Sequence, residues 1–338
     1  MIRKAWKVDG DMPGLQFDFR YYEPWMLDQI IEIFHKEYTV DRQSFARYFD
    51  AFYNHLSYPM ESIRIVALDG DTVAGFVSFT YWPYMVKGKL RRSFQCGNVI
   101  VNRDYRGKRL YNRMLEHLDS IHEKHNIDFL IGFPIKPILG IYLENNWTRL
   151  LNIQWYVKVI NPFAIYSSLD IGRLRAVFST ERTIRTNLKE NNLVYLANTP
   201  AFCAWRDGYK PYLIQDNIFF FYFEDGGNEI EFDLKVNKRK YGHELVIGDV
   251  KTSSYDKEFF DNALRELIKA VQITGQVSIL SFATNDKSKD QLLLNGLKKK
   301  RFFKIRKDIL VINKQYNPAV DIDNPADWKL YRSDIDTW

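Results

Sequence analysis

Apolar and polar positions along the chain fall into two successive sets of strands and helices. Leu15 to Tyr21 alternates apolar and polar residues, the period-two mark of a half-buried strand. Pro24 opens a helical pattern in which Met26, Ile30, Ile31, Ile33 and Phe34 recur at helical spacing. Arg42 to His55 reads as a second helix, with Phe45, Tyr48, Phe49 and Phe52 on one face. Ile63–Leu68 and Thr72–Tyr81 read as strands, joined by the hairpin turn Asp69-Gly70-Asp71, where glycine supplies the positive φ that such turns need. Ser93–Val101 is a strand, Asn102–Arg106 a short polar turn, and Gly107–His125 a helix with Leu110, Met114, Leu118, Ile121 and His125 on one stripe. Asp128–Phe133 is a short buried strand stopped by Pro134. Pro137–Glu144 is a helix closed by Asn145-Asn146, since Asn tolerates the left-handed cap conformation, and Ile153–Val159 is a further strand.

After a connector with one helix (161–191), the order returns. Ile218–Glu224 and Glu229–Val236 flank the turn Asp225-Gly226-Gly227-Asn228. Then come a strand (Glu244–Val250), an amphipathic helix (Lys257–Ile273) with Phe260, Leu264, Leu267, Ile268 and Val271 inward, a strand (Val277–Ala283), a short helix (Gln291–Leu297) and a last strand (Lys307–Asn313). Hairpin strands, strand, long helix, strand, short helix, strand: the pattern predicts a remote internal duplication. The fold class is α/β, a mixed sheet in each half, with domains over 1–160 and 192–338.

Composition narrows what such a chain does. At 338 residues, with about 150 per domain, two domains are the natural reading. The net charge of +6 suits an anionic ligand and does not demand nucleic acid. Two cysteines, Cys96 and Cys203, cannot build a disulfide framework or a cysteine-based zinc cluster, which points to a reducing, cytoplasmic setting. No apolar run reaches 18 residues and no signal peptide is recognisable, so no membrane partner is expected.

One loop carries chemistry. The strand ending at Asn98-Val99-Ile100-Val101 runs into Asn102-Arg-Asp-Tyr-Arg-Gly-Lys-Arg109 and then into a long helix. First-turn amides and the positive dipole end of a helix bind phosphate where the chain can approach closely, and Gly107 permits that approach. From Val86 to Arg113 nine lysines and arginines face one acid, Asp104, a local balance of +8. A ligand with several phosphates is the simple reading.

Asp104-Tyr-Arg-Gly-Lys-Arg-Leu-Tyr111 resembles the signature of the GNAT N-acetyltransferase superfamily, Arg/Gln-x-x-Gly-x-Gly/Ala at a helix start, whose backbone amides hold the pyrophosphate of acetyl-CoA. It matches at Tyr105, Arg106, Gly107 and Lys108, and departs at Arg109 and Tyr111, where the pattern has small residues. Tyr142-Leu-Glu-Asn-Asn-Trp147 is similar to the family's Tyr-Glu-Lys-Leu-Gly-Phe. The resemblance covers roughly residues 15–159. The second half resembles the same fold without the motif: Lys251-Thr-Ser-Ser-Tyr-Asp-Lys257 has no glycine before its helix. The chain thus looks like two tandem GNAT-like domains, the second degenerate, and its closing Trp328–Thr337 is similar to the tail of tandem bacterial sugar-modifying acyltransferases.

The resemblance implies the site. Acetyl-CoA is the co-substrate, with no metal. Arg106, Gly107, Lys108, Arg109, Leu110 and Tyr111 hold its phosphates, and the backbone of Val99, Ile100 and Val101, freed where the fourth strand splays from the fifth, holds the pantetheine arm and the acyl oxygen. Tyr142 protonates the leaving thiolate. The fourth strand carries no carboxylate, so the general base is a water held by Asn98 or a residue from elsewhere. Cys96 reads as a buried core thiol rather than an acyl carrier. His117, His122 and His125 read as surface residues, and Lys298-Lys-Lys-Arg301 as a solvated edge. The resulting expectation is transfer of an acetyl or other short acyl group to a primary amine of a small molecule, such as an amino sugar or a nucleotide-linked amino sugar. A non-catalytic CoA- or ligand-binding protein and an aminoacyl-tRNA-dependent transferase are the alternatives. The acceptor and the oligomeric state stay open.

Overall fold

A computed structural model describes residues 16–54, 61–184, 192–213, 217–240 and 242–335. In chain order these form β1 (Asp18–Tyr21), α1 (Leu27–Tyr38), α2 (Arg42–Tyr53), β2 (Ser62–Asp69), β3 (Thr72–Tyr81), β4 (Tyr84–Val86), β5 (Lys89–Arg91), β6 (Ser93–Val101), α3 (Leu110–Ile121), β7 (Phe129–Gly132), α4 (Leu139–Glu144) and β8 (Thr148–Val159). There follow α5 (Ile171–Arg175), β9 (Val194–Leu196), α6 (Pro200–Leu213), β10 (Ile218–Asp225), β11 (Asn228–Arg239), β12 (Gly242–Thr252), α7 (Lys257–Thr274), β13 (Ile279–Thr284), α8 (Leu292–Lys299), β14 (Phe303–Gln315) and β15 (Trp328–Lys329). Leu15 and His55, read as the ends of a strand and a helix, lie outside the described residues.

The chain divides into two compact units that are not contiguous in sequence. The first takes in the chain up to Pro83, Arg92–Arg149 and Val311–Val320. The second takes Tyr84–Arg91, Leu150–Leu310 and the chain from Asp321. Both units therefore draw on residues from either side of position 160. Sequence periodicity locates strands but not the sheet each one joins.

In the first unit β1, β2, β3 and β6 pair antiparallel in that order, β7 joins β6 in parallel, and Ile312–Gln315 of β14 closes the edge antiparallel to β7. The second unit repeats this plan: β10, β11 and β12 antiparallel, β13 parallel to β12, and β8 closing antiparallel to β13. Each unit is thus a mixed α/β layer structure, and each takes its closing strand from a stretch that follows the other unit's short helix. The second core lies between the sheet and α7, with Phe260, Leu264, Leu267 and Val271 against Phe232, Leu234, Leu245, Ile247 and Leu280.

Two elements escaped the periodicity. Helix α6 buries Phe202, Trp205 and Tyr209 in a helical stripe, but Gly208 and Pro211 within its span read as breakers. A small sheet, ordered β15-β9-β4-β5, is made of strands of two or three residues, too short for a period to register.

Candidate functional site

Strands β6 and β7 pair only over Ser93↔Phe129, Phe94↔Leu130 and Gln95↔Ile131. Beyond that point they part. Two causes lie in the sequence. On β6, Asn98 and Val99 together face Val77 of β3, because the register passes from Ser78↔Gly97 to Phe76↔Ile100. This bulge puts Asn98 in the left-handed region (φ 47) and turns the strand. On β7, Pro134 follows closely and offers no amide to extend the ladder. Val99, Ile100 and Val101 thus continue along β3 alone, with their other edge beyond the reach of β7.

The loop after β6 is held from several sides. The Asn102 carboxamide accepts from the Asp104 amide (3.4 Å), Tyr105 donates to Asp69 (3.0 Å), and Lys108 lies 5.0 Å over the Tyr105 ring. Gly107 takes φ 80 and Arg109 φ 51, both left-handed. Helix α3 then begins without a side-chain cap. Its first amide with a main-chain partner among the described residues is that of Arg113, bonded to the Arg109 carbonyl at 3.1 Å, so the amides of 107–112 precede the helical ladder. Helix α3 seats closely on the sheet: a Cβ at Gly75 of β3 would meet Ile100 O, Leu110 Cδ2 and Met114 Sδ, each at 3.3 Å.

The strongly basic balance expected around this loop is largely offset. Arg106 pairs with Glu37 (2.7 Å) and donates to the Val101 carbonyl (3.1 Å); Arg103 also pairs with Glu37 (3.0 Å). These bonds, that from Arg106 foremost, hold the Glu37 carboxyl below its ordinary range. Arg92 pairs with Glu61, and Arg109 faces Glu144 at 3.7 Å. Lys87, Lys89 and Arg91 belong to the second unit. Linear charge counting missed these partners because Glu37, Glu61 and Glu144 come from distant parts of the sequence.

Where β6 and β7 part, three side chains meet. Cys96, the first β6 residue past the last pair, has its sulfur 3.4 Å from the Tyr142 hydroxyl and 3.5 Å from that of Tyr111. Tyr111 donates to the Tyr142 hydroxyl at 2.6 Å. The two rings meet edge to face, and Trp147 packs on Tyr142 in the same manner with centroids 5.0 Å apart. Tyr142 is fixed on α4, whose end is turned by left-handed Asn146 (φ 60), so that the Trp147 amide reaches the Tyr142 carbonyl at 3.1 Å. All three side chains are buried, and burial above all raises the Tyr111 phenol well above its ordinary pKa. Tyr111, the motif's departure from a small residue, is thus turned into the core. Its hydroxyl could have been flagged from sequence only by asking which way the second helical position points.

Asn98 lies on the other side of the bulge. Its amide donates to the hydroxyls of Tyr53 (2.8 Å) and Tyr48 (3.3 Å) on α2; Tyr53 donates to Ser78 (2.6 Å), and Ser78 to the Gly97 carbonyl (3.1 Å). Ile135 on the loop after β7 is two-thirds exposed (66%). The histidines are engaged separately. His117 stacks on Phe19, and burial lowers its pKa; His122 stacks on Tyr316; His125 meets Glu61 at 3.0 Å. Among the described residues no group of three or more His, Cys, Asp or Glu is placed to hold a metal ion, and no helix is long and apolar enough to cross a membrane.

Strand splay, bulge and glycine-bearing helix start lie together in one α/β layer. A family model described as the acetyltransferase (GNAT) domain matches residues 18–150. Over that stretch the chain is similar to the GNAT acetyltransferase domain. Solved structures with the same fold include a GCN5-related N-acetyltransferase from Anabaena variabilis (13% identity, TM-score 0.60, 89% of this chain and 73% of that one) and another from Kribbella flavida (11%, 0.53, 89% and 71%). Saccharomyces cerevisiae N-myristoyltransferase with bound myristoyl-CoA is also similar (13%, 0.50, 95% and 86%). At such identities the likeness establishes the fold. No curated protein matches the sequence.

Proposed function

We propose that this protein is an acyl-CoA-dependent N-acyltransferase that moves an acetyl or other short acyl group from CoA to a primary amine of a small molecule. The observation that carries the reading is the parting of β6 from β7 beside a helix start whose amides from 107 to 112 lie ahead of the helical ladder. A diphosphate fits such amides, which supply fixed donors and the positive end of a dipole. A thioester fits the edge of Val99, Ile100 and Val101, whose peptide dipoles stabilise charge on the acyl oxygen. Acetyl-CoA, when bound, supplies the activated acyl group.

The chain's own residues do the rest. The amides of Gly107, Lys108, Leu110 and Tyr111 and the side chains of Lys108 and Arg109 hold phosphate. Arg106 acts at one remove, by fixing the Val101 carbonyl and Glu37. Tyr142, within reach of the Cys96 sulfur where the strands part, gives its proton to the leaving thiolate. Asn98 has its amide nitrogen committed to Tyr53 and Tyr48, which leaves Oδ1 to hold the water that takes the amine's proton. Amino sugars, free or nucleotide-linked, are the acceptors to try first, and a cytoplasmic setting is part of the same reading. The basic run 298–307 lends little to a tRNA-dependent reaction, since Lys299 pairs with Asp261 and Lys304 with Asp286.

The test is a thermal shift with acetyl-CoA, followed by thiol release from acetyl-CoA over a panel of primary amines. A rise in melting temperature and turnover with at least one amine are expected. No shift at about millimolar ligand, roughly a thousand times an ordinary micromolar Kd and hence worth about 4.1 kcal/mol if binding occurred, overturns the reading.

A further inference from the structure

We infer that Tyr111 is a positioning residue: its hydroxyl, donated to Tyr142, orients the Tyr142 proton away from the core and stabilises the oxygen that this proton leaves. The inference rests on the acyltransferase reading and extends it to a residue that the motif's pattern leaves small. The geometry is specific. A phenol has one proton and accepts on its oxygen. Tyr111 spends its proton on Tyr142 at 2.6 Å, so the Tyr142 proton points elsewhere, and the Cys96 sulfur at 3.4 Å marks the side where β6 leaves β7. Trp147 and Tyr111, both edge to face with the Tyr142 ring, hold it in that setting. A donor that persists while a neighbouring oxygen becomes negative favours the charged form, and so makes Tyr142 a stronger acid toward a sulfur leaving group.

The step balances without an oxidant or a further reactant. The amine lone pair forms the C–N bond, and the C–S pair departs on sulfur. The Tyr142 proton passes to that sulfur to give the CoA thiol, and the surplus amine proton goes to solvent. Tyr142 regains a proton from solvent as the product leaves. Tyr111 keeps its own proton throughout.

The test uses the full chain, acetyl-CoA, and the amine found in the panel, or water where none is found. Tyr111→Phe keeps the ring and removes the donor; Tyr111→Met removes donor and ring together but fills the space with a flexible apolar chain, should the first variant fold poorly. We expect kcat to fall about tenfold with KM for acetyl-CoA unchanged. The Tyr142 phenol, read as the difference in the tyrosinate absorption between Tyr142-containing and Tyr142→Phe proteins, should titrate at higher pH in the Tyr111→Phe background. The double variant should be no slower than Tyr142→Phe alone, because Tyr111 acts through Tyr142. If Tyr142→Phe is slow while Tyr111→Phe matches the unaltered protein, or if Tyr111→Phe lowers kcat without moving the Tyr142 titration, the inference fails and the acyltransferase reading stands. If Tyr142→Phe itself turns over normally, Tyr142 is not the acid and both the inference and that part of the reading fall.

Discussion

The two units carry the same strand plan and treat its central gap in opposite ways. In the first, β6 and β7 part after Gln95↔Ile131, and the helix that follows β6 starts uncapped from a left-handed arginine. In the second, β12 and β13 part after Ile247↔Phe282, and the chain's own end bridges them. Thr284 pairs with Tyr331, the Asn285 amide reaches the Leu330 carbonyl (3.2 Å), the Asn285 side chain holds the carbonyls of Pro325 and Trp328 (2.7 Å each), and the turn Arg332–Asp334 touches both strands. The helix after β12 is capped as well: the Asp256 carboxylate accepts from the Phe259 amide at 2.6 Å. A carboxylate therefore occupies the helix start where the first unit has amides ahead of the ladder. One architecture leaves its central gap open in one unit and covers it in the other, depending on whether the chain satisfies the main-chain groups there itself.

The sharpest way to break this comparison is to count ligands. Isothermal titration with acetyl-CoA should give one equivalent per chain. Two equivalents would mean that the second gap and the Asp256-capped helix still accept CoA, and the contrast drawn from capping and bridging would be wrong.

A smaller effect probes the plug. Asp334 is fully enclosed near Asp249, Arg206 and Lys251, and accepts from the Tyr331 amide at 2.7 Å. Burial first, and Asp249 second, push its carboxyl up to about 7. An unfolded Asp titrates near 3.9, so between these values the folded protein binds the extra proton. Its contribution to stability is complete below about pH 4 and is lost as pH rises toward 7, with a slope of at most about 1.4 kcal/mol per pH unit. Asp334→Asn, which keeps an acceptor for the Tyr331 amide, should flatten urea midpoints between pH 4.5 and 7; an unchanged slope would place the titrating group elsewhere. The first unit's counterpart, the Tyr111–Tyr142–Cys96 meeting point, contains no carboxylate, so an acid-range slope has to arise outside it.

How much of this was legible beforehand follows from the range of each interaction. Thr72–Tyr81 and Ser93–Val101 carry the right bounds because alternation and turn residues are local signals. The loop at Gly107 was readable for the same reason: a strand, a glycine and a helix start are contiguous in sequence. The strand exchange was not, since nothing in Thr148–Val159 or Val311–Val320 says whose sheet it will close. The charge around the loop was misjudged because its partners Glu37 and Glu144 act across space. Tyr111 stands out in the sequence only as a departure from a small residue, because a motif records residue size and not the direction of the side chain, and its meeting with Tyr142 spans 31 positions. The C-terminal plug was hidden similarly: Trp328 and Tyr331 read as a tail, and only the unpaired edge of β13 gives them a place.

The smallest expected effect concerns the backbone of the first unit's open helix start. Arg109 holds φ 51 and ψ 23, a left-handed conformation that costs an ordinary residue about 1–2 kcal/mol and glycine almost nothing. Against this stand the looser unfolded chain of a glycine, about 0.4–1 kcal/mol, and a half-exposed ion pair to Glu144 at 3.7 Å, about 0–1 kcal/mol. The balance for Arg109→Gly centres on a gain of a few tenths of a kcal/mol, about 0.3, read as a rise of about one degree in melting temperature. Arg109→Ala separates the causes, because it drops the guanidinium but keeps the Cβ and with it the strain. Stabilisation by Gly and not by Ala would show that the loop stores backbone strain, whereas the Asp256-capped helix of the second unit starts from an extended residue (φ −64, ψ 124) and has none to release. Equal effects of Gly and Ala would trace the difference between the two helix starts to charge alone.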